Sequence, residues 1–404
     1  MSLTSADNRK LRILLVCDEW IPVHGGISMV NRELSSSLVK LDFQVMCLVL
    51  TASPGELEDA RRRGVRLVTA KQTPSGPMIY LLTREVQDFQ PDVVIGHDHI
   101  SGPIAATYVN EFFKDAALAH LIHTIPPEIE PHKPRLGAQS RIEDREAMTQ
   151  AIASSATVVA GVGAKITRYA QGVVDDGFGG MRVLQLDPGI HIPNSADLYR
   201  EVPPNPTVVL LGRADEVELK GLDIAAKALA RIAVPAGRPK PALFIRGAEK
   251  NGCDNLRERL VRSAGLAPDR VDVRPFTSDV NQIQHSLRRA TLCIMPSRVE
   301  PFGLVAYEAI GLGTPVLLTD KSGAAEALRH HLGLIAAPMI VETADNPTQH
   351  VVNWTAAMKR VLDDPQAAFT YTHKIRSQLA DALSWEVMAK TLMDHIVSPR
   401  SLKK

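Results

Sequence analysis

Short apolar segments recur along the whole of this sequence, and longer amphipathic segments separate them. The apolar segments cover residues 12–17, 45–50, 65–69, 92–96, 118–122, 156–161 and 182–186 in the first half, and 207–212, 242–246, 271–274, 291–295 and 316–319 in the second. Strands of a parallel sheet have this near-continuous apolar character because helices cover both faces of the sheet. Between the first two segments, Val30, Leu34, Leu38 and Leu41 repeat at helical spacing along one face. The sequence therefore predicts an α/β protein built on open parallel sheets.

The chain is too long for one ordinary hydrophobic core, since its 404 residues exceed the size at which chains divide into domains. A boundary is expected at the Asp-Pro-Gly-Ile sequence of residues 187–190, because proline and glycine are typical of linkers. A second proline cluster, at residues 203–206, precedes a new strand that starts at Thr207. We therefore expect an N-terminal domain over residues 1–190 and a C-terminal domain over residues 191–382.

The composition excludes several classes of protein. Hydrophobic residues make up 45% of the chain and charged residues 23%, as in ordinary globular proteins, and the formal net charge of +1 indicates no nucleic-acid partner. The four cysteines lack the spacing of a metal site, and three lie in apolar runs, which is typical of small buried side chains in a reducing compartment. No apolar run approaches the roughly 18 residues of a membrane span, and the N-terminus has no apolar core. We expect a cytoplasmic protein, for which the sequence leaves peripheral membrane contact open without supporting it.

The segment over residues 297–319 carries the strongest indication of chemistry. It follows a strand and reads as a tight loop, a helix and a buried strand, with Glu300 on the loop and Glu308 about one turn inside the helix. Gly303 lies where the helix begins, and a helix N-terminus offers unpaired backbone N–H groups and a positive dipole end that suit a diphosphate. Glu308 is placed to accept hydrogen bonds from a ribose, and Glu300 from a sugar hydroxyl. Each carboxylate taken alone fits a surface residue, but the shared pattern makes that explanation poor.

Two cations stand near a helix start in the second half of the chain. Arg213 ends a strand, and Lys220 begins the next helix. Together they can neutralise the charge that develops on a departing nucleotide diphosphate, which is the means open to an enzyme without a metal ion. As the alternative, both are solvated surface residues that flank a loop. That loop contains three acids, of which Glu216 or Glu218 is a competing partner for Lys220.

Glycines follow two of the predicted strands. Gly25 and Gly26 lie between the first strand and the first helix, and Gly247 follows a later strand. Glycine permits positive φ and a close approach of the backbone to a ligand. A turn between strand and helix also needs glycine for purely structural reasons. Both interpretations stay open for these three positions.

Histidines follow two predicted strands of the first half. His97 and His99 flank Asp98 after one strand, and His123 follows the next. Ligands of open α/β sheets bind beyond the carboxyl ends of the strands, so both clusters lie where chemistry is expected. His97 and His99 also fit a metal pair or exposed loop residues. A third ligand with suitable spacing is missing and the sequence has no Asp-x-Asp pair, so we predict that no metal is bound.

Together these motifs resemble the family-4 retaining glycosyltransferases of the GT-B fold, in the same order and over nearly the full chain. The resemblance includes the Gly-Gly pair of the first loop, the Gly-Arg and Lys-Gly pairs within residues 212–221, the two glutamates of residues 297–319, and the Ser-Trp-Glu sequence of residues 384–386. It implies two Rossmann-like domains that face a central cleft. It also implies that a C-terminal helix, over residues 383–404, packs back on the N-terminal domain.

The resemblance further implies a hexosyltransferase that uses a nucleoside-diphosphate sugar, with a UDP-sugar favoured over a GDP- or ADP-sugar, and retains the anomeric configuration. The acceptor is a sugar, lipid or small molecule bound by the N-terminal domain, and no cofactor is expected besides the donor substrate. For the family's residues, the resemblance implies His123, Arg213, Lys220 and Glu300 in catalysis; Gly25, Gly26, Arg213, Lys220, Gly247, Glu300, Phe302, Gly303, Leu304 and Glu308 in donor binding; and His24 and His97 on the acceptor side, with a structural role as the other option for His97.

Two other functions stay open on the sequence alone. The same fold supports non-catalytic sugar-nucleotide sensors and interaction modules, and nucleotide-sugar epimerases or hydrolases share it as well. The complete set of two cations and two glutamates favours catalysis. The unusual Pro-Pro-Glu sequence of residues 126–128 keeps a sensor in consideration.

Overall fold

The computed structural model describes residues 9–22, 25–133, 136–177, 180–192 and 200–397. Within these residues the chain forms two compact units. The first contains residues up to 131, residues 136–189 and the C-terminal residues from 384 onward, and the second contains residues 190–383 with the short segment at 132–133. The units divide after Gly189 and after Leu383, beside the divisions expected at 190 and 382.

The first unit is an open sheet covered by helices. Its strands are β1 (Arg12–Val16), β2 (Gln44–Val49), β3 (Arg66–Thr69), β4 (Lys71–Thr73), β5 (Gly76–Met78), β6 (Val93–His97), β7 (Ala117–Ile122), β8 (Val158–Val162) and β9 (Leu184–Leu186), and its helices are α1 (Gly26–Lys40), α2 (Pro54–Arg62), α3 (Arg84–Phe89), α4 (Asp98–Thr107), which continues into a π-helical turn (Tyr108–Phe112), α5 (Pro126–Ile129), α6 (Ala138–Ala153) and α7 (Ala164–Gly177). Seven described strands form one parallel sheet in the order β3-β2-β1-β6-β7-β8-β9. The remaining two, β4 and β5, form an antiparallel hairpin.

The second unit repeats the same architecture. Its strands are β10 (Thr207–Leu211), β11 (Ala242–Ala248), β12 (Val271–Pro275), β13 (Leu292–Met295), β14 (Val316–Thr319) and β15 (Ile340–Val341), and its helices are α8 (Leu222–Ala230), α9 (Cys253–Ala264), α10 (Val280–Arg288), α11 (Leu304–Gly311), α12 (Gly323–Leu332), α13 (Pro347–Asp363) and α14 (Pro365–Leu379). Six described strands form a parallel sheet in the order β12-β11-β10-β13-β14-β15. The predicted α/β fold with open parallel sheets is therefore confirmed.

Burial explains why the strand prediction succeeded. In β1, the four residues Ile13, Leu14, Leu15 and Val16 are fully buried, because helices cover both faces of the sheet. The sequence did not predict β4, β5 or β15. The first two are short and not apolar, and β15 has only two residues, so none of them produces a long apolar run.

The last described helix, α15 (Trp385–Val397), belongs to the first unit and packs against α1. Its buried face includes Met388, Leu392 and Ile396, and Glu386 forms an ion pair with Lys40 of α1. The expected return of the C-terminal helix to the N-terminal part of the chain is part of this fold.

Each sheet contains one point at which the strand order reverses. In the first unit this point lies between β1 and β6, and in the second it lies between β10 and β13. The loops that follow the two central strands diverge there to opposite faces of the sheet and leave a crevice at the carboxyl ends of the strands. The loops after β1, β6, β10 and β13 carry most of the residues singled out from the sequence.

The contact between Gly189 and the start of α15 provides a test of this packing. A Cβ atom on Gly189 would lie 2.2 Å from the backbone nitrogen of Trp385, so an alanine forces the backbone to move. We expect Gly189→Ala to destabilise the first unit by about 1–3 kcal/mol, as overpacking usually does. Gly172 of α7 is the matched control, because its added Cβ would meet nothing within 4 Å. Gly172→Ala should stabilise by about 0.5–1 kcal/mol, and equal thermal unfolding midpoints for the two variants would contradict the packing.

Candidate active site

An ion pair lies at the carboxyl ends of the two central strands of the second unit. The Nζ atom of Lys220, just before α8, is 2.9 Å from Oε2 of Glu300, which follows β13. The hydroxyl of Ser297 donates to the same carboxylate oxygen at 3.2 Å. The structure therefore brings together two predicted residues that are far apart in the sequence. Because an ammonium group has three donors, Lys220 can hold Glu300 and still meet a further anion.

A second ion pair fixes the loops that carry the first. The guanidinium group of Arg298 binds the carboxylate of Asp223 through two nitrogens, each 2.9 Å from an oxygen. The backbone N–H of Arg298 donates to the carbonyl of Leu219 at 2.9 Å. Gly221 has φ +67°, and a Cβ there would lie 2.0 Å from the carbonyl oxygen of Pro296. The two loops are thus locked together next to Lys220 and Glu300.

Sequence reasoning missed Arg298 and Asp223. Arg298 lies within the recognised segment of residues 297–319, two positions before Glu300, and Asp223 lies three positions after Lys220. Their mutual contact joins residues 75 apart, so no local spacing indicates it.

Arg213, after β10, is about half exposed and lies 3.3 Å from Oε1 of Glu216. Of the two acids expected to compete for Lys220, Glu216 therefore pairs with Arg213, while Lys220 pairs with Glu300. A Cβ on Gly212 would lie 3.9 Å from Cδ of Lys220. The aliphatic part of the Lys220 side chain therefore passes beside the backbone of Gly212, which precedes Arg213. The two cations thus lie in one region.

Gly247 supports this region from the adjacent strand. It has φ +128°, and a Cβ there would lie 1.9 Å from the carbonyl oxygen of Gly212. Its own carbonyl accepts a hydrogen bond from the N–H of Ala214 at 3.0 Å. Of the two interpretations of Gly247, this geometry explains glycine by close backbone packing that shapes the turn around Arg213.

The N-terminus of α11 differs from those of its neighbours. Gly303 precedes the helix with φ +102°, and no side chain among the described residues caps the helix there. Side chains cap the N-termini of the other late helices of this unit, namely α10 by Asp279, α12 by Ser322, α13 by Asn346 and α14 by Asp364. Backbone N–H groups at the start of α11, near Leu304, are thus left for an external acceptor such as a phosphate.

Two further residues of this segment have distinct environments. Phe302 is buried, with its ring edge-on to Tyr307 at 5.2 Å between centroids, so it supports the loop. Glu308 lies partly buried on α11, beside β13. Burial, followed by the charge of Glu308, raises the pKa of the Cys293 thiol on that strand.

In the first unit, Gly25 precedes α1 with φ +154°, and an added Cβ would meet nothing within 4 Å. Packing therefore does not require glycine here, although the backbone conformation favours it. Gly26 is the first residue of α1, whose N-terminus has no side-chain cap among the described residues. His24 lies outside the described residues.

His97 and His123 lie in contact although 26 positions separate them. Nδ1 of His97 is 2.9 Å from Nε2 of His123, and Nε2 of His97 is 3.0 Å from Oδ1 of Asn31 on α1. Burial lowers the pKa of His97 to about 3, and burial together with the neighbouring histidines holds the pKa of His123 well below its usual value. Both rings are therefore neutral at pH 7. With both nitrogens engaged inside the protein, His97 fits the structural role rather than contact with an acceptor.

Sequence reasoning also missed Asn31 and Asp98. Asn31 is a fully buried polar residue among the apolar positions of α1, where periodicity alone does not indicate a contact with His97. Asp98 has φ +45°, and its carboxylate accepts hydrogen bonds from the N–H of His123 at 3.2 Å and the hydroxyl of Thr124 at 2.9 Å. Burial raises the pKa of Asp98 to about 6.

His99 is separated from this contact. Its Nε2 atom lies 3.1 Å from the guanidinium group of Arg145, which also binds the buried carboxylate of Glu130 at 3.1 Å. Within the described ranges, no group of three His, Cys, Asp or Glu side chains is arranged to hold a metal ion. No helix in the described part of the chain is long and apolar enough to cross a membrane.

The chain is similar to known proteins over most of its length. A family model described as family 4 glycosyltransferases in conflict systems matches residues 14–392. The D-inositol 3-phosphate glycosyltransferase of Pseudarthrobacter chlorophenolicus is 26% identical over 372 residues, covering 84% of this chain and 83% of that protein. Glycogen synthase of Mycobacterium tuberculosis is 34% identical over 112 residues, which span 28% of this chain and only 25% of glycogen synthase.

A solved structure shows the same fold. HepE of Anabaena, determined in complex with UDP and glucose, has a TM-score of 0.68 and 15% identity, and the match covers 96% of this chain and 99% of that chain. At this identity the likeness concerns the fold, and it agrees with the two parallel-sheet units described above.

His120, on β7, allows a test of the buried histidines. Its ring is fully buried, and neither ring nitrogen has a hydrogen-bond partner among the described residues; burial lowers its pKa to about 4. A lowered histidine pKa contributes stability above the unfolded pKa of about 6.5, and that stability is lost as pH falls toward the folded value. Between pH 7.5 and pH 5, the wild type should lose about 2 kcal/mol more unfolding free energy than His120→Leu. Urea unfolding at both pH values checks this, with exposed His330→Leu as the control; equal pH dependence of wild type and His120→Leu would contradict it.

Proposed function

The chain belongs to the family-4 glycosyltransferases, and from that premise we propose that it transfers a sugar from a nucleoside-diphosphate sugar to a hydroxyl acceptor, with retention of configuration and without a bound metal. A UDP-sugar is the favoured donor. The observation that carries the proposal is the Lys220–Glu300 pair at the strand-order reversal of the second unit, in the same loop region as the uncapped N-terminus of α11.

The donor is proposed to bind the second unit. Its diphosphate accepts hydrogen bonds from the backbone N–H groups at Gly303 and Leu304, where the helix dipole favours negative charge. Glu308, one turn further along α11, accepts hydrogen bonds from the ribose hydroxyls. Glu300 accepts a hydrogen bond from a hydroxyl of the transferred sugar. A carboxylate already held by Lys220 and Ser297 keeps a fixed orientation for that task.

The two cations are proposed to act on the leaving group. The bond between the anomeric carbon and the phosphate oxygen breaks, and its electron pair passes to the diphosphate. The acceptor oxygen bonds to the same face of the anomeric carbon, and its proton passes to an oxygen of the departing phosphate. Arg213 and Lys220 stabilise the negative charge that develops, and preorganised charges of this kind are a large contribution to catalysis.

The first unit is proposed to bind the acceptor, with Gly25 and Gly26 close to the ligands. His123 orients the transferred sugar through a hydrogen bond. Because its ring is neutral at pH 7, it serves as a hydrogen-bonding group and not as a cation. The proposed donor class agrees with HepE, which binds UDP and glucose. A cytoplasmic place of action is part of the proposal, supported by the four cysteines, all of which are free thiols.

A panel of nucleotide sugars tests the donor site. A ligand at 100 times its dissociation constant adds about 2.7 kcal/mol of stability, so the matching donor should raise the thermal unfolding midpoint. Glu308→Gln keeps the shape of the side chain and removes its charge. It should weaken binding of that donor about 10- to 100-fold, which corresponds to the loss of one hydrogen bond to a charged group. Glu258→Gln, an exposed helix residue of the same unit, is the control and should bind as the wild type does. Equal donor affinity in folded Glu308→Gln would remove Glu308 from the site.

Transfer assays in excess chelator test metal independence, and we expect turnover to persist. Activity that chelator abolishes and only magnesium or manganese restores would refute the metal-independent reaction.

Lys220→Ala tests the proposed role in the transition state. An interaction made mainly with the leaving group lowers kcat more than it weakens ground-state binding. We expect kcat to fall by about 10²–10³ while donor binding changes less, the usual cost of one preorganised donor. Lys359→Ala is the control, since Lys359 also pairs with a carboxylate in the second unit, at an exposed position of α13. Near-normal turnover of Lys220→Ala at saturating donor would show that Lys220 does not assist departure of the diphosphate.

A further inference from the structure

Three buried polar side chains form a continuous hydrogen-bonded line in the first unit. Asn31 of α1 contacts His97 at the end of β6, and His97 contacts His123 after β7. Asn31 and His97 are fully buried, and His123 retains 9% exposure, so it is the member of the line that reaches the surface. The elements that carry the three residues pack together, but no two of the residues are close in the sequence. We call this line the Asn31–His97–His123 chain.

The amide of Asn31 sets the direction of these hydrogen bonds. Its Nδ2 atom donates to the sulfur of Cys47 at 3.3 Å, which leaves Oδ1 facing the ring of His97 at 3.0 Å. A carbonyl oxygen only accepts, so Nε2 of His97 carries the proton. A neutral imidazole has one N–H, and therefore Nδ1 of His97 accepts from Nε2–H of His123 at 2.9 Å. The same rule then leaves Nδ1 of His123 without a proton.

We propose that Asn31 is a positioning residue that acts through His97 to hold His123 in the tautomer protonated on Nε2, so that Nδ1 presents a lone pair to a hydroxyl group of the bound sugar. The proposal deepens the role given to His123 and rests on the proposed function for that contact. It assigns His123 the part of hydrogen-bond acceptor. A histidine of the opposite tautomer would present an N–H, and the hydroxyl of the ligand would then have to accept the hydrogen bond instead of donating it.

The surrounding residues keep both histidines of the Asn31–His97–His123 chain neutral and hold the ring of His123 in place. Burial lowers the pKa of both His97 and His123, so neither ring becomes a cation that would donate from both nitrogens near pH 7. The carboxylate of Asp98 holds the backbone N–H of His123 separately, at 3.2 Å. The backbone and the ring thus have independent supports, and a change at Asn31 leaves the backbone support intact.

NMR of the protein labelled with nitrogen-15 in its histidines tests this directly, because it reports the tautomer of each ring. His97→Gln and His123→Gln assign the two resonances. His120, whose ring is not part of the Asn31–His97–His123 chain, is the internal reference. In the wild type, both His97 and His123 should carry the proton on Nε2. A proton on Nδ1 of His123 in the wild type would overturn the proposal without any variant.

Asn31→Leu removes the amide at similar volume and should allow both tautomers of His97 and His123. With the donor that stabilises the wild type, kcat should fall about 5- to 10-fold, equivalent to one net hydrogen bond, while the donor KM changes less. Val30→Ala is the matched control, because it weakens the packing at the neighbouring buried position of α1 and leaves the side chains of the Asn31–His97–His123 chain unchanged. It should keep the wild-type tautomers and a wild-type kcat.

Unchanged tautomers in folded Asn31→Leu, or an equal loss of kcat in Val30→Ala, would overturn the positioning role. Failure of the proposed function has a different signature. Shifted tautomers in Asn31→Leu together with unchanged turnover would support the positioning of the ring by Asn31 and would refute the contact between His123 and the sugar.

Discussion

Parallel strands end at a common edge of their sheet, and this constraint places most of the candidate site residues described above. In each unit the chain first builds one side of the sheet and then returns to the other side of the central strand, so the order reverses once. Loops that follow the central strands are left without a covering helix at that point. Lys220 and Glu300 meet there in the second unit, although 80 residues separate them.

The two units use this edge with different chemistry. The second unit gathers charges, with Lys220 on Glu300, Arg213 on Glu216 and the Arg298–Asp223 pair that locks the loops. Such an arrangement suits a ligand with concentrated negative charge. The first unit instead buries neutral imidazole groups in a directed line of hydrogen bonds, which suits recognition of hydroxyl groups, where the position of each proton matters.

Membership of the family gives the class of reaction, and the local geometry gives the proposed division of tasks. The match with the inositol phosphate glycosyltransferase extends over most of both chains, whereas the match with glycogen synthase covers a quarter of that enzyme. The names of these relatives state different compounds, D-inositol 3-phosphate in one and glycogen in the other, so the acceptor of this chain has to be found by experiment. The contact proposed for His123 concerns a hydroxyl of the transferred sugar and leaves the acceptor open.

The sequence alone determined the parallel α/β architecture, because strands covered on both faces must be apolar along their whole length. Its local patterns also singled out Lys220, Glu300, Gly303 and Glu308 as candidate site residues. It missed the hairpin of β4 and β5 and the two-residue β15, since such short strands bury too little to leave an apolar run. Only the tertiary structure decided the pairings, because a salt bridge or hydrogen bond between distant segments has no periodicity. Arg298 with Asp223, and Asn31 with His97, are of this kind, and so is the choice of Glu216 for Arg213 rather than Lys220. Local spacing records what one element needs to fold, whereas these contacts depend on which elements lie side by side.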